Sequence, residues 1–339
     1  MNIVKRVSLK NFRCHSEFDL NCDEPTTLII GENGSGKTSI LEAIYLALRG
    51  KSFKGTDKDI LKRDVDYYRA EIDLVDAKKV IIRFNGTKKE FEIDGKKSSR
   101  LSKSDRYPVV LFEPNDIYLI GSSPSRRRDY FDELFKQINE NYGVILGKYN
   151  KALKQRNDLL KEEIVNKDDL FSWNVMCANY GTELIRQRIN NLEKINEKLT
   201  DTYRNIAKNE DICTIKYLGT KVDENEYLQN LEKNYDKDRI LGYTTFGVHR
   251  DDYEFMFNNK KADGSASRGE NRSMILALKF IEAQILEREV GKKPVVLLDD
   301  IFSELDEVRQ KHLIDNFKDY QMVITSTAVP SEMRVNKKL

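Results

Sequence analysis

The chain has 339 residues, 34% of them charged and 39% hydrophobic, and Lys plus Arg exceeds Asp plus Glu by only two (58 − 56). That length supports one large domain or two ordinary ones with real cores, and the balance excludes a disordered or membrane-embedded chain. No apolar run reaches the roughly 18 residues a membrane span needs, the N-terminus lacks a signal-peptide stretch, and Cys14, Cys22, Cys177 and Cys213 show neither zinc nor disulfide spacing, so a cytosolic protein with reduced thiols is expected.

Ile3 to about Phe18 reads as a strand, a polar turn and a second strand. Thr26-Thr27-Leu28-Ile29-Ile30 is a short apolar, β-branched run, as expected of a strand buried on both faces, and it runs straight into Gly31. After Lys37-Thr38, apolar residues recur at helical spacing until Arg49-Gly50. Residues 69 to 95 alternate and carry Asn85-Gly86 and Asp94-Gly95 turns, which predicts antiparallel hairpins. Val109 to Phe112 is another buried strand. From Arg126 to about Asn209 the pattern is helical and free of proline. Strands resume near Ile212 to Tyr217 and Tyr253 to Phe257, a helix covers Gly269 to Glu289, and Val295 to Leu298 and Val323 to Thr325 are the last strands. The expected architecture is an α/β body, 1–122 with 240–339, interrupted by a helical lobe over 123–239.

Gly31-Glu32-Asn33-Gly34-Ser35-Gly36-Lys37-Thr38 matches GxxxxGK[ST] in full, between a buried strand and a helix. The glycines let successive N–H groups converge on phosphate oxygens, and the helix N-terminus adds its partial positive charge. Lys37 would reach the β- and γ-phosphates of ATP, and the Thr38 hydroxyl would ligate Mg²⁺. Val295 to Leu298 deliver Asp299-Asp300 to a strand end. Asp299 would hold Mg²⁺ through its water shell, and Asp300 would polarise the attacking water as general base; read alone, the pair is equally a helix cap.

Lys37 and Asp299 lie 262 residues apart (299 − 37), so one site draws on both ends of the chain. Simple kinases and GTPases bring the acidic strand in much sooner. Ser265 to Arg272, about 30 residues before that strand, has the placement of an ABC signature motif, and Ser303-Glu304-Leu305-Asp306 that of a D-loop. In that class the signature helix meets the γ-phosphate held by a second subunit, so nucleotide joins two protomers. The basic cluster Arg126-Arg127-Arg128 is a candidate DNA contact, although its neighbours Asp129 and Asp132 offer acidic partners.

Along nearly its whole length the chain resembles the RecF family, bacterial recombination proteins with an ABC-type, SMC-like P-loop head. Leu9-Lys10-Asn11-Phe12-Arg13, Gly50-Lys51-Ser52-Phe53, Phe112 to Asp116, Arg126 to Asp132, Tyr149 to Leu160, Gly247 to Asp252, Ala266 to Gly269 and Leu297 to Asp306 carry the resemblance. It implies a head with a mixed sheet, antiparallel hairpins and an inserted helical lobe. It places Arg13 near the nucleotide, and Ser267, Arg268, Gly269 and Asp306 at the nucleotide interface between subunits. It further implies recombinational repair: an ATP-driven homodimer that clamps single-stranded, gapped or duplex DNA with little sequence preference. That dimer would act with RecR and RecO in the nucleoid, help load a recombinase and release on slow hydrolysis. Contacts would be mainly to phosphates, with the Lys54 to Arg63 segment a second candidate.

Departures from the family pattern are Val248 for proline and Glu270 for glutamine, whose carboxylate would oppose a partner's γ-phosphate; a Q-loop glutamine is lacking, and Thr325-Ser326-Thr327 stands in place of a switch histidine. An SMC or exonuclease-associated head would need a far longer coiled-coil insertion. A transporter ATPase would need the missing Q-loop and histidine. A module that uses ATP only to dimerise stays open.

Overall fold

The computed structural model describes residues 3–219, 221–329 and 335–339. The chain forms two compact units, Met1–Ile117 with Glu282–Leu339, and Tyr118–Ile281. Residues 240–281, assigned above to the α/β body, fall in the second unit, because their strand pairs within it.

In the first unit β1 (Val4–Phe12) and β2 (His15–Asn21) form a hairpin, followed by β3 (Thr26–Ile30), α1 (Lys37–Arg49) and the short turn α2 (Asp57–Ile60). Strands β4 (Tyr68–Leu74), β5 (Lys79–Phe84), β6 (Lys89–Ile93), β7 (Lys96–Ser98) and β8 (Val109–Phe112) come next. Six strands make an antiparallel sheet, β2-β1-β4-β5-β6-β7. One face of it buries Val7, Leu9, Ala70, Ile72, Val80, Ile82 and Phe91. The other carries cross-strand ion pairs, among them Arg6–Asp19, Lys79–Glu71, Arg83–Glu92 and Lys97–Glu90. Each such pair contributes little stability, but together they neutralise that face.

The second unit holds α3 (Pro124–Ile138), α4 (Glu140–Leu159), the 41-residue α5 (Lys167–Ala207), β9 (Cys213–Leu218), α6 (Glu224–Lys233), α7 (Tyr235–Leu241), β10 (Asp252–Phe257), β11 (Lys260–Lys261), the turn α8 (Ala262–Ser265) and most of α9 (Arg268–Val290). Its sheet runs β11-β10-β9. Along the outer edge of β9, Asn196 and Thr200 of α5 exchange hydrogen bonds with the backbone of Ile215 and Cys213, so the edge is closed to further pairing. The Gly247 to Asp252 block lies in this interior. Gly247 sits at φ 131, where a Cβ would come within 2.3 Å of the Tyr227 hydroxyl. His249 bonds Tyr149 and the Thr244 carbonyl, and burial pushes its pKa down to about 4. Asp251 accepts from buried Arg188. Helices α6 and α7 escape the sequence reading because α6 buries only Tyr227 and Leu231, one turn apart, too brief a period to register.

The chain returns to the first unit with β12 (Val295–Asp299), α10 (Glu307–Phe317), β13 (Gln321–Ser326) and β14 (Lys337–Lys338). These join a parallel sheet, β14-β3-β13-β12-β8. The expected mixture of parallel and antiparallel strands is thus sorted into separate sheets. Helix α1 touches β1, β4 and β5 of the antiparallel sheet and β8, β12 and β13 of the parallel one. Ile40 to Leu48 are therefore buried all round, Glu42 included. Among the described residues no helix is long and apolar enough to cross a membrane.

Candidate functional site

Gly31 to Gly36 connect β3 to α1 at the C-terminal end of the parallel sheet. Gly36 is the strictest position of this loop: it sits at φ 96, and a Cβ there would meet the Cys14 sulfur at 2.3 Å and His15 Nε2 at 2.5 Å. Lys37 is buried, and its ammonium donates to the Gly31 and Glu32 carbonyls at 2.7 and 2.9 Å. The charge is thereby held at the centre of the loop.

Parallel pairing of β12 with β13 sets Asp299 opposite Thr325. Thr38 Oγ1 donates to Asp299 Oδ1 at 2.7 Å, and Thr325 Oγ1 donates to the same oxygen at 2.9 Å. Asp300 follows in the left-handed region, φ 49. Its Oδ1 is buried without a hydrogen-bond partner. Burial raises the Asp300 pKa above the ordinary carboxylate value, Lys37 and the Thr327 N–H pull it down, and Asp299 and Glu304 push it further up. Loop and carboxylate line one cavity of about 500 Å3. The structure therefore brings Lys37, Thr38, Asp299 and Asp300 together from opposite ends of the chain.

Arg13, in the β1–β2 turn at φ 53, also lines the cavity. Its guanidinium is gripped by Glu42, Nε to Oε2 at 2.8 Å and Nη2 to Oε1 at 2.7 Å. The Glu42 side chain is fully buried and also accepts from Ser52. Arg13 further donates to the Asp59 carbonyl, which draws in the Lys54 to Arg63 segment. Lys54, Asp59, Leu61 and Arg63 face the cavity, so this candidate DNA segment forms the cavity rim. Glu42, Cys14 and His15 were not singled out from sequence. His15 contacts the Gly36 carbonyl at 3.1 Å, and adjacency to Arg13 was the one available clue.

The signature segment lies in the second unit, with Ser267 and Arg268 exposed and Gly269 and Glu270 half-buried at the start of α9. The Ser267 N–H donates to Glu270 Oε2 at 2.6 Å, and the Glu270 N–H donates to Ser267 Oγ at 3.3 Å, a reciprocal capping box. Glu270 thus has a local structural partner. Asp306 caps α10, accepting from the Arg309 N–H at 2.9 Å.

The arginine cluster needs correction. Arg127 points inward and forks onto Asp252 at 2.8 and 2.7 Å. Arg128 donates to the Asp251 carbonyl at 2.7 Å. A buried guanidinium paired with a carboxylate has no reason to leave it for solvent, so Arg127 is a structural cation. Arg126 is half-exposed beside them.

A family model described as an AAA domain matches residues 6–311. The DNA replication and repair protein RecF of Clostridium acetobutylicum is 32% identical over 337 residues, covering 96% of this chain and 93% of that protein. Its counterpart in Lachnoclostridium phytofermentans is 34% identical with the same coverage. Among solved structures, a recombination mediator RecF with ATP, from the RecFOR pathway, superposes with a TM-score of 0.87 at 31% identity over 98% of this chain and 93% of that one. A Pyrococcus furiosus Smc head domain, 17% identical, shares the fold with a TM-score of 0.53 over 97% of this chain and 90% of that one. The fold is that of an α/β, ABC-type ATPase head.

Proposed function

The chain belongs to the RecF family of DNA replication and repair proteins, and from that premise we propose that it binds and slowly hydrolyses ATP, dimerises on ATP and then clamps DNA at gaps or junctions. RecO and RecR are its proposed partners in loading a recombinase. The observation that carries this reading is that Lys37, Thr38 and Asp300 line one cavity while Thr38 bonds Asp299, which lies 262 residues beyond Lys37 in the chain. A site made of both chain ends is built to report on a phosphate.

Lys37 holds its ammonium at the loop centre, where phosphate oxygens replace the two carbonyls it now serves. Thr38 and Asp299 are the residues that would hold magnesium, being hard oxygen donors, few in number, as that ion prefers. Magnesium, when bound, neutralises charge on the phosphates. Asp300 serves as general base: its unpartnered oxygen is free to accept a proton, and a raised pKa makes it a stronger base than an ordinary aspartate. Arg13 closes the rim, held by Glu42. In the second unit, Ser267 and Arg268, exposed, and half-buried Gly269 form a helix start suited to a partner's γ-phosphate, with Asp306 at the same interface. Glu270 favours a weak version of the mechanism, since its carboxylate already takes the Ser267 N–H.

The test is sedimentation with and without Mg-ATP, repeated with a gapped duplex. The wild type is expected to dimerise only with ATP and to hold DNA better as a dimer. Lys37→Ala should lose nucleotide binding and dimerisation together. A variant that still dimerises with ATP would remove Lys37 from the site.

A further inference from the structure

Thr325 is fully buried at the end of β13, after the apolar residues Met322, Val323 and Ile324. Packing alone would be served there by valine, which has the same shape. A buried hydroxyl is costly unless it is bonded, and this one is bonded on both sides. Its proton goes to Asp299 Oδ1 at 2.9 Å, and its oxygen accepts the Asp300 N–H at 3.1 Å. The same N–H also reaches the Thr325 carbonyl at 3.0 Å. One side chain therefore ties together both acidic residues, and it helps hold Asp300 in its left-handed backbone conformation.

The second hydroxyl on Asp299 comes from Thr38, at 2.7 Å. A Thr38 oxygen that turns to a metal keeps its proton but changes its direction, and that bond weakens. Thr325 lies on β13, the strand between β3 and β12, and is not itself part of the loop, so its bond to Asp299 does not depend on where the Thr38 hydroxyl turns. We propose that Thr325 is a positioning residue: it keeps Asp299 aimed at the magnesium position and Asp300 aimed into the cavity while Thr38 changes partner. The inference rests on the ATPase reading above, and deepens it.

Thr325→Val removes the hydroxyl and keeps the shape, and the Asp300 N–H still has the residue-325 carbonyl. The fold should therefore survive, which a thermal melt would verify. Three readouts are needed: nucleotide affinity in EDTA, the gain in affinity on adding magnesium, and the turnover number. Thr325→Val should bind nucleotide in EDTA as the wild type does, lose most of the magnesium-linked gain, and turn over about tenfold more slowly, the scale of one lost hydrogen bond to a charged group. Thr325→Ser should restore both. A valine variant with wild-type turnover and magnesium gain overturns the proposal, and so does a serine variant as impaired as valine, because the methyl group would then be what matters. A wild type that binds nucleotide but never hydrolyses it overturns the ATPase reading, and this inference with it, a result distinct from the other two.

Discussion

Two carboxylates at the cavity and its wall meet opposite fates. Asp300 is left with an unbonded buried oxygen and a raised pKa, whereas Glu42 is fully buried and bonded by Arg13 and Ser52. A carboxyl whose folded pKa lies above its unfolded value lends relative stability only while protonated, and loses that as pH rises through the folded pKa. Asp300→Asn should therefore melt higher than the wild type at neutral pH, and the gap should close as pH falls below the ordinary carboxylate range. On the proposed reading the same variant stays ATP-bound and dimeric. Equal melting temperatures at neutral pH would count against burial of the Asp300 charge. Glu42→Gln goes the other way. A carboxamide turns one N–H toward the guanidinium, and removing one partner of a buried pair costs about 3 kcal/mol. The melting temperature should drop by several degrees and nucleotide affinity should fall, because Arg13 loses its fixed direction. An unchanged melt and affinity would reduce Glu42 to a bystander.

At the scale of elements, the start of α9 is the place where a local contact and an intersubunit contact compete. The Glu270 carboxylate caps Ser267 at 2.6 Å, and a carboxylate at a helix N-terminus adds about 0.3–1 kcal/mol. Glu270→Gln keeps the capping geometry and removes the charge. On the dimer reading, sedimentation in Mg-ATP should show a dimer several-fold tighter, with a slightly less stable monomer; an unchanged dimer constant would sink the idea that Glu270 weakens association. Elements such as α1 and β12 were legible in the sequence because their signals are contiguous: a glycine-rich loop before an apolar period, four apolar residues before two aspartates. Glu42 was not, and Thr325 stood out only as part of the segment in place of a switch histidine. The contacts of each appear only when another turn or strand packs against it. Arg127 is misleading in the reverse sense, because a run of like charges looks like a surface until Asp252 appears 125 residues later. The local hint, Asp129 and Asp132, named the wrong acids for Arg127.

For the whole molecule, charge sets the terms on which DNA can be held. The formal net charge is +2, and the outer face of the six-stranded sheet spends its cations on neighbouring carboxylates. Arg127 and Arg128 are directed inward. A chain so balanced cannot rely on a broad basic field, so the proposed clamp must use a modest number of phosphate contacts and gain its hold from closure of the dimer. Each phosphate contact contributes about −0.9 to the slope of log affinity against log salt on duplex DNA. Arg127→Ala separates the two roles an arginine can have. If Arg127 is structural, the variant loses about 3 kcal/mol because Asp252 is stranded without its cation, while the salt slope of DNA binding in Mg-ATP stays as in the wild type. A slope shallower by about one unit, with stability intact, would instead return Arg127 to the DNA surface and overturn its assignment here.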